Sequence, residues 1–248
     1  MIAPLQGKGI LLASGNITIG NHRGVLHVGG LTIDMDIVWT TVLAAAIVLT
    51  LGFLMVRKVT SGVPGKLQLF WETVTAQVAD LADSAIGPQG RRFVGLGVGV
   101  GVFILVCNWI AFIPSGDPGW LPPPTSDVNL PLAMAVTVIF LVHYNSIRAR
   151  GFKGYVKHYF TPYAFLFPIN VIEEITRPIT MTFRLFGNIF SGVLMITVIV
   201  TLIPPYLSWI GLVIWKPFDE LFIGAIQAFI FALLTIMYLG MGMSTDEH

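Results

Sequence analysis

Met181-Thr182-Phe183-Arg184-Leu185-Phe186-Gly187-Asn188 sets one guanidinium in the middle of a long apolar stretch. A guanidinium stays protonated at any pH a cell reaches. At the centre of a membrane helix it costs about 2.5–3.5 kcal/mol or more on insertion scales, so a chain rarely keeps one there without a task for it. Its polar neighbours follow helical spacing. At about 100° per residue, Glu173, Arg177, Thr180, Arg184, Asn188 and Ser191 fall within a sector of roughly 80°. Ile, Val, Phe, Leu and Met fill the other faces. The stretch reads as a helix immersed in lipid, with a polar stripe along one face.

The rest of the chain agrees. Of 248 residues, 55% are hydrophobic and 11% charged, with a mean hydropathy of +0.81; soluble domains carry about 25% charged residues. A net charge of +1 implies no polyanion surface, and no nucleic-acid partner is expected. Cys107, the one cysteine, falls in an apolar span and reads as a small core residue rather than a disulfide or metal ligand. The sequence carries no phosphate loop of the Gly-Lys-Ser/Thr type, no metal-ligand spacing and no nucleophile motif. Neither a cofactor nor a metal is expected, nor any nucleotide chemistry by the chain itself. Ile10-Leu11-Leu12-Ala13 is too short for a signal-peptide core, so insertion through the first membrane helix is expected.

The fold expected is an all-α integral membrane protein: about five membrane helices plus an interfacial amphipathic helix. Residues 1–36 form an outer-side N-terminal segment and 37–248 a single membrane domain, with helices at about 37–56, 64–86, 93–113, 128–147, 165–203 and 217–242. In the first segment Ile17-Thr18-Ile19 and Val25-Leu26-His27-Val28 flank Asn21-His22-Arg23-Gly24, which reads as a short hairpin or an irregular surface segment. Glu72, Gln77, Asp80 and Asp83 make 64–86 the amphipathic interfacial helix. Gly95, Gly97, Gly99 and Gly101 form two overlapping small-xxx-small pairs, where another helix can come close. The helix over 165–203 is too long for a perpendicular crossing and must tilt strongly; Pro178 is a point at which it can bend. Of fourteen Lys and Arg, nine lie in 57–92 and 148–157 and three in 1–36, 114–127 and 204–216. That bias sets the N-terminus outside and the C-terminus in the cytoplasm.

Arg184-Leu185-Phe186-Gly187-Asn188, followed by Gln227-Ala228-Phe229-Ile230-Phe231 and Leu234-Thr235-Ile236, resembles subunit a of the F-type ATP synthase, bacterial type. Asn108-Trp109 and Ser126-Asp127-Val128-Asn129 match further blocks of that family, so the resemblance runs from about residue 36 to 243 in order. It implies a stationary proton-channel subunit of the membrane Fo sector, in which a tilted helix pair faces a rotor ring. Two offset half-channels would deliver protons to and from the ring carboxylates. The partners implied are the ring of c subunits, peripheral-stalk b-type subunits, the remainder of the ATP synthase complex and the lipid bilayer, in a bacterial plasma membrane.

On this resemblance Arg184 separates the two access paths. Its fixed charge favours the ionised ring carboxylate and repels protons that would leak directly between the paths. A structural arginine would need Glu173 or Glu174, which lie two or more turns away; a snorkelling one would sit nearer a helix end. Asn188, one turn on, either bonds a neighbouring helix, or orients Arg184 or lines the path. Gln227 matches the family glutamine opposite the arginine. Glu220 lies seven residues before it and therefore on the same face, with Gly224 between them; Asp219 points about 100° away, near the expected helix N-terminus. Some relatives place an acid nine positions after the arginine and a histidine seven before the glutamine. Here those positions are Val193 and Glu220, which makes Glu220 the candidate proton carrier. Asn108, Asp127 and Asn129 are candidates for the outer path. His143, close to the cytoplasmic end of its span, reads more readily as a structural or interfacial histidine than as part of that path. Glu173, Glu174 and Arg177 form either an ion-pair cluster or the lining of the cytoplasmic entrance.

Two other functions fit a buried charge. A self-contained secondary ion or solute transporter also holds charges at mid-membrane, but such folds show internal repeats, and none is evident in five spans. A non-conducting scaffold leaves the polar stripe unexplained.

Overall fold

The computed structural model describes residues 25–28, 31–60, 64–113, 122–160, 163, 165 and 167–243. A two-stranded antiparallel hairpin, β1 (Val25–Val28) and β2 (Leu31–Asp34), leads directly into α1 (Met35–Lys58). The partner of 25–28 is therefore the segment after it. The expected strand Ile17-Thr18-Ile19 lies outside the described residues.

α1 is followed by α2 (Lys66–Ile86), α3 (Val94–Phe112), α4 (Asn129–His158), α5 (Phe167–Leu202), α6 (Pro205–Pro217) and α7 (Gly224–Met243). Five stretches are long and apolar enough to span a bilayer: Met35–Lys58, Gly90–Phe112, Asn129–Lys157, Phe167–Leu202 and Tyr206–Gly242. The chain is thus an all-α multi-pass membrane protein, with α2 as the helix too polar to count among the spans. The 36 residues of α5, at ~1.5 Å each, extend for roughly 54 Å against a hydrocarbon core of about 30 Å, so the helix inclines steeply. Pro178 lies within α5 without ending it.

Two boundaries differ from expectation. α4 continues past the basic residues from Arg148 onward, because Lys and Arg are good helix formers and charge alone does not stop a helix. It bends at Gly151, whose φ of 73° and ψ of 160° suit glycine alone. The last span also begins earlier than residue 217. Pro205 starts a helix, since a proline in the first turn loses no intrahelical bond. That helix continues through a π turn, Phe218–Ile223, into α7. The wide turn follows Pro217, which has no N–H to give to the Val213 carbonyl, so the ladder must be rewound there. Residues 205–216 are therefore part of the fifth span and not an outer loop.

In lipid, apolar side chains gain little by leaving their surroundings, so helices associate where backbones can approach closely. α3 and α7 do this antiparallel. A Cβ at Gly97 would collide with Ile236, and one at Gly101 would lie 2.9 Å from Ala232 Cβ and 3.2 Å from Ala228 O. Of the two small-residue pairs, Gly97 and Gly101 face α7, while Gly95 and Gly99 have nothing within 4 Å. Around this seam Val78 and Ala82 of α2, Val98 and Ile104 of α3, Val138 and Val142 of α4, Met181 and Leu185 of α5, and Phe231 and Ile236 of α7 form one core. Cys107 is fully buried beside Ala44 and Ile110, as expected of a small core residue.

The basic segments meet at one end of the bundle. A Cβ at Gly240 of α7 would strike Ile86 at the end of α2, Gly242 abuts Val142 and Ser146, and Arg150 Nη2 donates to Met241 O at 3.5 Å.

Candidate functional site

α5 turns Met181, Thr182, Leu185 and Gly192 into the bundle. Arg184, on the other side, is exposed, and among the described residues no hydrogen bond or ion pair holds it. Glu173 and Glu174 cannot serve it, because both are engaged by Arg177. The hydroxyls of the stripe are satisfied within the helix: Thr180 Oγ1 donates to Thr176 O at 2.8 Å and Ser191 Oγ to Asn188 O at 2.8 Å. Among the described residues nothing bonds Arg184 or the half-buried side-chain amide of Asn188.

Toward the basic end, α4 and α5 enclose a polar cavity of about 300 Å³ lined by His143, Tyr155, Asn170, Glu173, Glu174 and Arg177, among others. Arg177 Nη2 donates to Glu173 Oε1 at 2.9 Å and Nη1 to Glu174 Oε2 at 3.1 Å, the i−4 and i−3 contacts that helical spacing favours. Its guanidinium also lies 5.3 Å from the ring centre of Tyr238 on α7. His143 Nδ1 is 3.7 Å from Glu174 Oε1 and 3.2 Å from the Tyr155 hydroxyl, which in turn lies 2.7 Å from Tyr159 Oη. Burial, and then the hydrogen bond with Tyr155, raise the Tyr159 phenol above its ordinary value, so it keeps its proton and holds the chain of hydroxyls together. The bend at Gly151 is what brings Tyr155 back to His143, twelve residues earlier on the same helix. His143 accordingly belongs with Glu174 and not with Asn108.

A second polar group lies toward the opposite end. Asn108, 2% exposed on α3, donates from Nδ2 to Gly224 O at 3.2 Å and accepts from Thr125 Oγ1 at 3.2 Å. It is thereby fixed at the junction of the π turn with α7. Asp127 and Asn129 do not join it directly: Asp127 accepts from the Asn129 backbone N–H and side-chain Nδ2, both at 3.0 Å, closing the entry to α4.

The π turn also alters the acidic pair. It breaks the 100° phase on which the seven-residue spacing of Glu220 and Gln227 rests, and burial now distinguishes the groups. Gln227 is buried, its Nε2 without a partner among the described residues, and Glu220 is half-buried. Asp219 is 7% exposed and not at a helix N-terminus: its Oδ2 occupies the space that a Cβ on Gly192 of α5 would need.

Along α5 the order is simple. Arg177 lies seven residues before Arg184 and Gly192 eight after it, about 10 Å and 12 Å at ~1.5 Å per residue. The exposed guanidinium is thus midway between the two polar groups. The residues that sequence reasoning missed are Tyr155, Tyr159 and Thr125, and the Asp219–Gly192 contact. For that contact the available signal was a glycine standing among Ile, Val and Leu two turns beyond Arg184.

The ATP synthase A chain family model matches residues 37–240. An ATP synthase subunit a from Acidothermus cellulolyticus is 45% identical over 233 residues, covering 94% of this chain and 85% of the relative. Those of Mycobacterium leprae and Mycobacterium marinum are each 43% identical, over 248 and 246 residues, with 96% and 95% of this chain and 98% and 97% of the relatives covered. These likenesses favour a channel subunit over a self-contained transporter. The chain belongs to the ATP synthase A chain family, whose members are the non-catalytic proton-channel component of the Fo sector.

Proposed function

We propose that this chain is the stationary half of a rotary proton turbine, with Arg184 facing a ring of c subunits that each carry a carboxyl group at mid-membrane. The observation that carries this reading is an arginine with no partner among the described residues, on a face of a membrane-spanning helix that the chain does not cover. Such a charge is tolerable in lipid only if an anionic or polar surface lies against it. A ring carboxylate arriving there is drawn to the guanidinium and releases its proton on one side of it. Beyond Arg184 the carboxylate takes up another from the opposite side before it re-enters lipid.

The inner half-channel is assigned to the cavity with Glu173, Glu174, Arg177 and His143, and the outer one to Asn108, Asp127, Asn129 and Glu220. Asn188 lies one turn from Arg184 on α5, and Gln227, buried on α7, is the glutamine that the family resemblance sets opposite it. The gathering of Lys and Arg at the end that also holds the C-terminal turn of α7 supports a cytoplasmic C-terminus and an outer N-terminal segment over 1–36, in a bacterial plasma membrane. Residues 37–248 act as one membrane domain, and the poorly covered face of α1 is available to peripheral-stalk b-type subunits.

The test is ATP-driven proton uptake by inverted vesicles carrying Arg184→Ala, with assembly checked by co-purification of the ring. Loss of uptake in an assembled complex is expected. Normal uptake would make Arg184 a structural residue and remove this mechanism.

A further inference from the structure

We propose that the apolar slot between the end of α4 and the start of α5 binds an anionic phospholipid, with an acyl chain in the slot and the phosphate against Lys153 and Lys157. The slot has a volume of about 340 Å³, with Val156 and Phe160 on one wall and Phe167, Val171 and Ile175 on the other. The rings of Phe160 and Phe167 stack with centroids 4.7 Å apart and pin the two walls together. Water is a poor occupant, because it needs two or more polar partners and those at the slot are engaged elsewhere. Tyr159 Oη lies 2.7 Å from the Tyr155 hydroxyl, and Glu174 Oε2 is 3.1 Å from Arg177 Nη1. Val156, Phe160, Phe167 and Ile175 are nonetheless exposed, so the slot presents apolar surface for a hydrocarbon chain to cover.

The rim supplies the charge. Residues 148–157 carry Arg148, Arg150, Lys153 and Lys157 and no acid. On the helical segment beyond the Gly151 bend, Lys153, Val156 and Lys157 fall within a sector of roughly 100°, which sets two exposed ammonium groups beside the slot. Tyr163 and Phe165, 71% and 84% exposed, add the rings that settle at a membrane boundary. Membrane orientation asks only that Lys and Arg gather on one side. A cationic rim on an apolar slot between two membrane helices is the pattern that takes a phosphate headgroup with its chain.

The place of the slot separates it from the surface around the arginine. Val171 and Ile175 lie roughly 140° and 180° round α5 from Arg184, so whatever meets the guanidinium is not what covers the slot. The inference therefore does not rest on the role given to Arg184.

The test uses the assembled complex in phosphatidylcholine nanodiscs. These are doped with phosphatidylglycerol or phosphatidylcholine carrying the same acyl-chain diazirine, and the cross-linked peptides are mapped by mass spectrometry. Phosphatidylglycerol is expected to label residues 156–160 and 167–175 more heavily than phosphatidylcholine does. Each lysine changed to Gln should lower that labelling about 5-fold, and Lys153→Gln with Lys157→Gln about 30-fold, with phosphatidylcholine labelling unchanged. Equal labelling by the two lipids, or a double variant that labels like the parent, overturns the headgroup assignment. No label in the slot from either lipid means that another subunit covers it, and overturns the proposal outright. If the double variant does not assemble, the parent decides: a phosphatidylglycerol preference lost at high salt supports the site, and one that persists at high salt overturns it.

Discussion

Replacing Gly101 by Ala should destabilise the bundle, whereas the same change two residues earlier, at Gly99, should not. A Cβ at 101 would stand 2.9 Å from Ala232 Cβ and 3.2 Å from Ala228 O, whereas carbon atoms rest about 3.5–4.0 Å apart. Neither neighbour is the end of a flexible side chain, so relief requires α3 and α7 to separate. Overpacking of this kind costs about 1–3 kcal/mol, with the rigid neighbours favouring the upper half; the better helix propensity of Ala returns up to about 1 kcal/mol, leaving roughly 1–2 kcal/mol. At Gly99 only the propensity gain applies, because nothing lies within 4 Å.

Cys107 supplies the assay. It is the chain's one cysteine, sits on α3 and has no exposed surface, so a small maleimide reaches it only when α3 leaves its neighbours. Where opening and reclosing outpace the reagent, the labelling rate follows the open population. Gly101→Ala should therefore label about 5–30 times faster than the parent in the detergent-solubilised complex, and Gly99→Ala no faster. Equal rates for the two variants would refute the claim that backbone approach at 101 holds this seam.

Two further outcomes are expected. Asn108→Ala leaves the Gly224 carbonyl and the Thr125 hydroxyl without their buried partner, at a cost of about 1–3 kcal/mol; Cys107 labelling should rise accordingly, and an unchanged rate would mean that Asn108 does not pin the π turn to α3. Gln227→Leu removes a buried donor that has no partner among the described residues, so the labelling rate should stay level or fall while ATP-driven proton uptake declines. A loss of stability alongside uptake would make Gln227 a structural residue.

Much of this architecture follows from lipid as a solvent. Each span must satisfy its own backbone, so hydropathy and length locate the helices. Helical periodicity alone predicts that Arg177 meets Glu173 and Glu174, because i±3 and i±4 neighbours meet whatever lies opposite. The glycine spacing of α3 likewise announces a close contact, and the interruption of an apolar helix by Arg184 announces a function. Site residues whose meaning depends on a neighbouring helix are less legible. Sequence spacing put Glu220 and Gln227 on one face and Asp219 near a helix start, yet the π turn after Pro217 changes the phase and buries Asp219 against Gly192. Asp127 and Asn129, grouped with Asn108 by sequence, instead close the entry to their own helix. His143 was legible as an interfacial histidine, but only the bend at Gly151 gives it Tyr155.

By itself, the sequence determined that this protein crosses a membrane five times and carries an arginine in the middle of a long, apolar, inclined helix. The tertiary structure decided which polar groups share a space, and so which of them can pass a proton. The reason is physical: hydropathy and helical period act within a segment, whereas the phase after an irregular turn and the width of a notch depend on the helix that packs against it.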